Sequence, residues 1–183
     1  MLVECGFVRA VAPDGVEYTF TPSLARIATL GDPQGIVKLY ADLHGPRAAW
    51  EAGYVLACLC DQDDPTPLIG WIDGDGLRNP GAMPEAEQVV IARHLMHHGI
   101  VGRAKPAKGN GKFSDRFDAA EYIAAARVHL GLSSADAEGL SMTEFQTMLA
   151  MKYPEAQEKQ IPSRDEYRKA MQAAQMKEKR NGG

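Results

Sequence analysis

The chain has 183 residues, 45% hydrophobic and 24% charged, with a formal net charge of -4. That length suits one domain, or one with a small appendage, and is enough to bury a core. No run of about 18 apolar residues occurs, so no helix is expected to span a bilayer. The start "MLVECGFVRAV" lacks a basic segment followed by an apolar one, so no secretory signal is expected and the cytoplasm is the expected compartment. Three cysteines fit a reducing compartment, and Cys58 and Cys60, expected at a buried helix end, are too close for an easy mutual disulfide.

Val3, Cys5, Phe7 and Val11 alternate, "PDG" supplies a turn, and Val16, Tyr18 and Phe20 alternate again. This predicts a β-hairpin with Val3, Phe7, Tyr18 and Phe20 on its inner face. Thr21 before Pro22 reads as a helix start, because the threonine oxygen can cap free amides and proline suits the first helical position. Two short helices follow, "SLARIATLGD", stopped by Gly31 and Pro33, and "GIVKLYADLHG", stopped by Gly45. In "PRAAWEAGYVLACLC", Trp50, Tyr54 and the run from Leu56 to Leu59 predict a central buried helix. Turn residues throughout "DQDDPTPLIGWIDGDGLRNPGAMP" predict a long acidic loop with a short strand at "LIGWI". "EAEQVVIARHLMHHG" is a helix ending at Gly99.

Charge is uneven: through Pro80 there are five Lys or Arg against eleven Asp or Glu, and thereafter fifteen against thirteen. In the back half, "GRAKPAKGNGKFSDR" concentrates Arg103, Lys105, Lys108, Lys112 and Arg116 among glycines and prolines. It reads as a basic flexible linker over 103–116. A basic loop can contact nucleic acid, but only Phe113 interleaves and the sequence pI is 5.7, which argue against such a footprint. Beyond it, "FDAAEYIAAARVHLGLSSADAEGLSMTEFQTML" reads as two amphipathic helices joined by a serine-rich turn. The first runs from Ser114 to Leu130 with a stripe of Phe117, Ala120, Ala124 and Val128. Ser141 with Glu144, and Ser163 with Glu166, are capping boxes that open helices. The expected fold is mainly α, a helical bundle with a short N-terminal β-hairpin. The expected organisation is 1–102, the linker 103–116, and a C-terminal helical region with a polar tail over 117–183.

Three groupings invite an enzymatic reading. His94, His97 and His98 stand at metal-ligand spacing, with Cys58 or Cys60 as a further ligand. A helix C-terminus, where histidines interact well with the terminal carbonyls, is the favoured account of them, and Leu95 stands where a metalloprotease motif needs Glu. "DQDD" and "DGDG" lack the alternating oxygen ligands and distal Glu of a calcium loop and read as acidic turns. "GNGK" lacks the leading glycine of a phosphate loop and is followed by Phe113 instead of Ser or Thr. No nucleophilic triad has local support. The expectation is a protein without enzymatic activity, cofactor or metal.

The C-terminal third holds five of the eight methionines. Met142, Phe145, Met148 and Leu149 form an apolar face that Met151 and Tyr153 extend, and a last helix adds Tyr167, Met171 and Met176. Methionine is flexible and polarizable, so Met-rich helical faces adapt to partners of imperfect shape. Phe145 and Leu149 are expected in the core. Met142, Met148, Met151, Tyr153, Tyr167, Met171 and Met176 are the candidate partner-binding residues.

"YTFTPSLARIATLGDPQGIVKLYADLHG" and "EYIAAARVHLGLSSADAEGLSMTEFQTMLAMKYP" together resemble the tail assembly chaperones of long-tailed bacteriophages and prophages. The likeness covers most of the chain apart from the central acidic loop and the last residues, and it lies in packing patterns without chemistry. It implies a protein that binds the long, helical, aggregation-prone tape measure protein and keeps it soluble until tail tube protein polymerises around it. It also implies a place in the host bacterial cytoplasm and absence from the mature virion. Such chaperones are often made in a second form lengthened by a ribosomal frameshift, and self-association is compatible with the same surfaces. Two other classes fit the residues: a phage-encoded protein that occupies a host factor, for example in pilus assembly, and a metal-dependent or nucleic-acid-processing enzyme.

Overall fold

The computed structural model describes residues 5–103 and 115–154. It is mainly α, with eight α-helices among the described residues and an N-terminal antiparallel hairpin. Strands β1 (Val8–Val11) and β2 (Glu17–Phe20) pair with Val8 opposite Phe20 and Ala10 opposite Tyr18. Gly15, at φ +85°, makes the turn that an L side chain would strain. Tyr18 and Phe20 face inward as expected, and Phe20 is fully buried.

The first strand has the opposite register from the one expected. Val8 and Ala10, not Phe7 and Val11, oppose the buried aromatics; Val11 and Val16 are exposed, and Phe7 is half-buried ahead of the strand. Side-chain period in a strand is two, so a one-residue shift exchanges the faces. Val3 lies outside the described residues.

Residues 19 to 21 then run against residues 59 to 61. The Thr21 amide donates to the Leu59 carbonyl at 2.9 Å, and the Asp61 amide donates to the Thr19 carbonyl at 2.8 Å. Asp61, in the first acidic turn, pairs with Arg26 at 3.0 Å and accepts from the Thr21 hydroxyl at 2.9 Å. Thr21 is therefore engaged elsewhere, and the cap of α1 (Leu24–Ala28) is Ser23, whose side chain accepts from the Arg26 amide. Pro33 starts a helix instead of stopping one. It sits in the first turn of α2 (Pro33–Asp42), and the Asp32 side chain accepts from the amides of Gln34 and Gly35.

Helix α3 (Ala48–Leu59) buries Ala48, Ala52, Val55, Leu56 and Leu59 and packs most extensively on α5 (Glu85–Met96), which buries Gln88, Ala92, Leu95 and Met96. The small Ala52 and Ala92, both fully buried, allow the close approach. Trp50 and Tyr54, expected in the core, are each 46% exposed. They lie off the stripe set by the aliphatic positions, and the Tyr54 hydroxyl donates to the Leu30 carbonyl at 3.1 Å.

The expected loop carries more structure than one strand. After α4 (Thr66–Ile69), β3 (Gly70–Ile72) pairs antiparallel with β4 (Arg78–Pro80). Asp73 Oδ1 accepts from the amides of Asp75 and Leu77, so the second acidic run is a turn, as expected. At the base of this hairpin a Cβ on Gly81 would lie 2.3 Å from the Gly70 amide nitrogen, so only glycine fits.

Helix α5 does not stop at Gly99. It continues as a π-helical turn, His97–Val101, and ends at Gly102 with φ +67°. Gly99 is buried where a Cβ would meet Ile27 Cδ1 at 2.5 Å, so this glycine is a contact point between elements.

Helix α6 (Ala119–Ala125), capped by Asp118, runs into a second π-helical turn, Ala126–Leu130, and ends at Gly131. The expected stripe is corrected: Phe117 is buried ahead of the helix, but Ala120, Ala124 and Val128 are exposed. The inner side is Ala119, Tyr122 and Ala126, with the Tyr122 ring stacked on Phe117 at 5.0 Å. A short helix, α7 (Ser134–Gly139), occupies the expected serine-rich turn, capped by Ser133, and α8 (Met142–Lys152) follows. Ser114 and Phe113, with the cations Lys105, Lys108 and Lys112 and the "GNGK" run, lie outside the described residues.

One compact unit runs from Met1 to Met148 and a second from Leu149 to Gly183. The Leu24 amide donates to the Leu140 carbonyl at 2.7 Å, and the Phe117 amide to the Pro33 carbonyl at 2.8 Å.

Gln88, 1% exposed, donates through Nε2 to the carbonyls of Ile69 and Met83, and its Oε1 accepts from Arg78. Gln88→Ala strips partners from two carbonyls and a guanidinium at once. Each buried group left unpaired costs about 1 to 3 kcal/mol. The variant should unfold at clearly lower urea concentration than the parent, whereas exposed Glu87→Ala should change the midpoint little.

Candidate functional site

The candidate partner-binding residues centre on α8, so its anchoring decides which are available. The capping box forms as expected. The Glu144 amide donates to Ser141 Oγ at 3.2 Å, and Glu144 Oε2 accepts from the Ser141 amide at 2.8 Å. The first turns of the helix are sunk in the fold: Met142 and Thr143 are each 2% exposed and Phe145 5%. The Phe145 ring meets Tyr122 edge to face at 5.9 Å. Gln146 clamps the end of the α5 extension, its Nε2 donating to the Val101 carbonyl at 3.0 Å and its Oε1 accepting from the Arg103 amide at 2.6 Å.

Phe145 is thus in the core as expected, and Met142, a candidate partner-binding residue, is buried beside it. Met142 lies directly after the capping Ser141, where the helix is pressed against Gly102, and a Cβ there would come 3.0 Å from Met142 Cγ. Met148, Met151 and Tyr153 are exposed, Met151 to 78%, and Leu149 is half-buried. The same helix therefore divides into a buried start and a solvated apolar end. Tyr167, Met171, Met176 and the Ser163–Glu166 capping box lie outside the described residues.

The histidines gather as the spacing suggested, but without the cysteines. The rings of His94 and His98 lie 4.5 Å apart and those of His97 and His98 5.6 Å apart. His98 Nδ1 is 2.8 Å from Thr143 Oγ1 on α8, and His97 Nδ1 is 3.4 Å from the Tyr40 hydroxyl on α2. Burial, with the other imidazoles adding to it, holds His94 and His98 below the usual histidine range. Cys60, at the end of α3, is buried and Cys58 half-buried, and burial pushes both thiols up, away from the thiolate form that binds metals and attacks electrophiles. Among the described residues no three His, Cys, Asp or Glu side chains are placed to hold a metal.

Two concavities are of modest size. One of about 280 Å³ lies between α2 and α3, lined by the ion pairs Lys38–Asp42 and Arg47–Glu51. The other, about 310 Å³, is lined by Cys5, Phe7, Pro22, Ser141 and Glu144, whose polar atoms serve the capping box. Apolar exposure that sequence patterning assigned elsewhere includes Trp50, Tyr54 and Val128, and Trp71 and Leu77 of the second hairpin are exposed as well. Among the described residues no helix is long and apolar enough to cross a membrane.

The chain matches a family of unknown function, DUF6246, over residues 45–170, and belongs to that family. No curated protein and no solved structure matches it.

The division of α8 sets two substitutions apart. Phe145→Ala should cost about 3 to 5 kcal/mol by emptying a buried aromatic site. Met151→Ala should stay within about 0.5 kcal/mol of the parent, since its side chain is largely solvated. Chemical denaturation of the two variants checks the contrast.

Proposed function

We propose that this member of DUF6246 is a tail assembly chaperone that binds the phage tape measure protein and keeps it soluble while the tail tube forms. The observation that carries the reading is the exposed apolar run Met148, Met151 and Tyr153 at the end of a helix whose start is fixed in the core. A holdase for an extended helical client needs an adaptable apolar helix face on a stably folded body, and a methionine face supplies one. The resemblance of its helical stretches to tail assembly chaperones names the client. On this reading the chain works by binding alone, in the host cytoplasm, and uses no metal, nucleotide or covalent step.

Co-expression with the tape measure protein of the same phage or prophage tests the reading. Wild-type chain should keep the tape measure soluble and co-purify with it; a tape measure that stays insoluble, with both proteins well expressed, overturns the proposal. Met148→Asp with Met151→Asp should fold normally yet lose most of the complex. Each buried apolar side chain contributes about 1.5 to 3 kcal/mol, and a buried unpaired carboxylate costs more. Undiminished recovery with the double variant would move the contact surface off this helix. Stoichiometric zinc lost on His94→Ala, or nucleotide hydrolysis by the purified chain, would overturn the non-enzymatic part.

A further inference from the structure

Three imidazoles meet where the end of α5 touches both α2 and α8, and among the described residues none has a carboxylate partner. Tyr40 of α2 faces His97, and His44, one turn on, is bound to the Tyr40 carbonyl at 2.9 Å. On α8, Thr143 holds His98, while the nearby Glu144 carboxylate is taken by the amide and hydroxyl of Ser141. On α5 itself the Arg93 guanidinium donates to the Leu43 carbonyl. From α1, Ile27 meets the π-helical turn at Gly99, and Arg26 is paired with Asp61. The segment before β1, with Cys5, lays Gly6 so close to His98 that a Cβ there would come 2.2 Å from the histidine Cβ. Among the described residues no ion pair joins any of the three histidines to an Asp or Glu. Among the described residues, the charged groups named here are cationic or already paired.

We propose that His94 and His98 form a proton-operated latch, which holds the start of α8 against the end of α5 while their rings are neutral and releases it when they become charged. The neutral rings can lie 4.5 Å apart without penalty; two half-buried imidazolium ions at that distance, with no ion-pair partner among the described residues, repel. The tight contact of Gly6 leaves His98 no room to swing outward on that side, so separation must come from the neighbouring helix. A charged His98 can still donate to Thr143, but that one bond does not offset the loss of ring hydration and the repulsion from His94 and His97. Release of α8 would bring the buried Met142 and Phe145 to the surface.

The sign follows from the lowered positions of His94 and His98. Their protons bind more tightly to the unfolded or opened chain than to the closed one. The latch is at full strength above the ordinary histidine value of about 6.5 and is lost as pH falls below it toward the lowered values.

The test follows amide exchange of α8 and α3, corrected for intrinsic chemistry, together with uptake of an apolar-surface dye, from about pH 7.5 to about pH 5. In the wild-type chain α8 should lose protection at a higher pH than α3, and dye uptake should rise with that loss. In the variant carrying His94→Gln and His98→Asn, both changes should vanish from this range. Loss of protection in α8 and α3 together, or the same dye midpoint in the variant, overturns the latch. Should the variant not fold at neutral pH, the imidazole titrations of the wild-type chain by NMR decide. A midpoint for His98 below that of a histidine in an unfolded peptide supports the latch, and one at or above it overturns it.

Discussion

The buried amide of Gln88 is the constraint around which the front of the molecule is arranged. A primary amide at 1% exposure must find partners for both its ends, and this one finds them in the carbonyls of Ile69 and Met83 and in the Arg78 guanidinium. Those partners bracket the second hairpin. Arg78 in turn reaches the Ala49 carbonyl at 3.2 Å and the Glu85 carboxylate at 2.9 Å, so one side chain of α5 ties a turn-rich segment to both central helices. The hairpin stays close because Gly70 and Gly81 admit no side chain between them. Burial of the aliphatic stripe between α3 and α5 supplies the driving force; the amide decides how the connecting segment lies on it.

The back of the molecule follows a different logic. Here α8 is fixed by its first two turns, through the capping box, the buried Met142 and Phe145, and the Gln146 clamp on the end of α5. A helix held at one end can present its other end to solvent without threatening the fold. Met148 and Met151 stand on that exposed end, where the proposed client would meet them. The histidine cluster lies on the anchored side of that division, so a charge change there would act on the anchor and not on the exposed face.

Several features were legible in the linear sequence because their cause is local. The hairpin turn at "PDG", the Ser141–Glu144 box, the acidic turns and most helix spans depend on residues within four positions of one another. The errors share a different cause. Val11, Trp50, Tyr54, Ala120, Ala124 and Val128 were placed inward by their apolar character, yet all are exposed, because which side of an element is buried depends on what lies across from it. Met142 shows the same limit in reverse. In sequence it is indistinguishable from Met148 and Met151, and only the approach of Gly102 puts it in the core.

What the sequence determined by itself was the class of molecule: helical, with a short N-terminal hairpin and a methionine-rich end. Periodicity, caps and composition are short-range properties, and they survive without knowledge of neighbours. The tertiary structure alone decided the register of β1, the division of α8 into an anchored and a free half, and the meeting of three histidines with Tyr40 and Thr143. The last two rest on contacts between residues far apart in the chain, formed because apolar area had to be buried somewhere and polar atoms beside it had to be satisfied. No window of sequence contains both partners of such a contact, so packing had to settle which faces met.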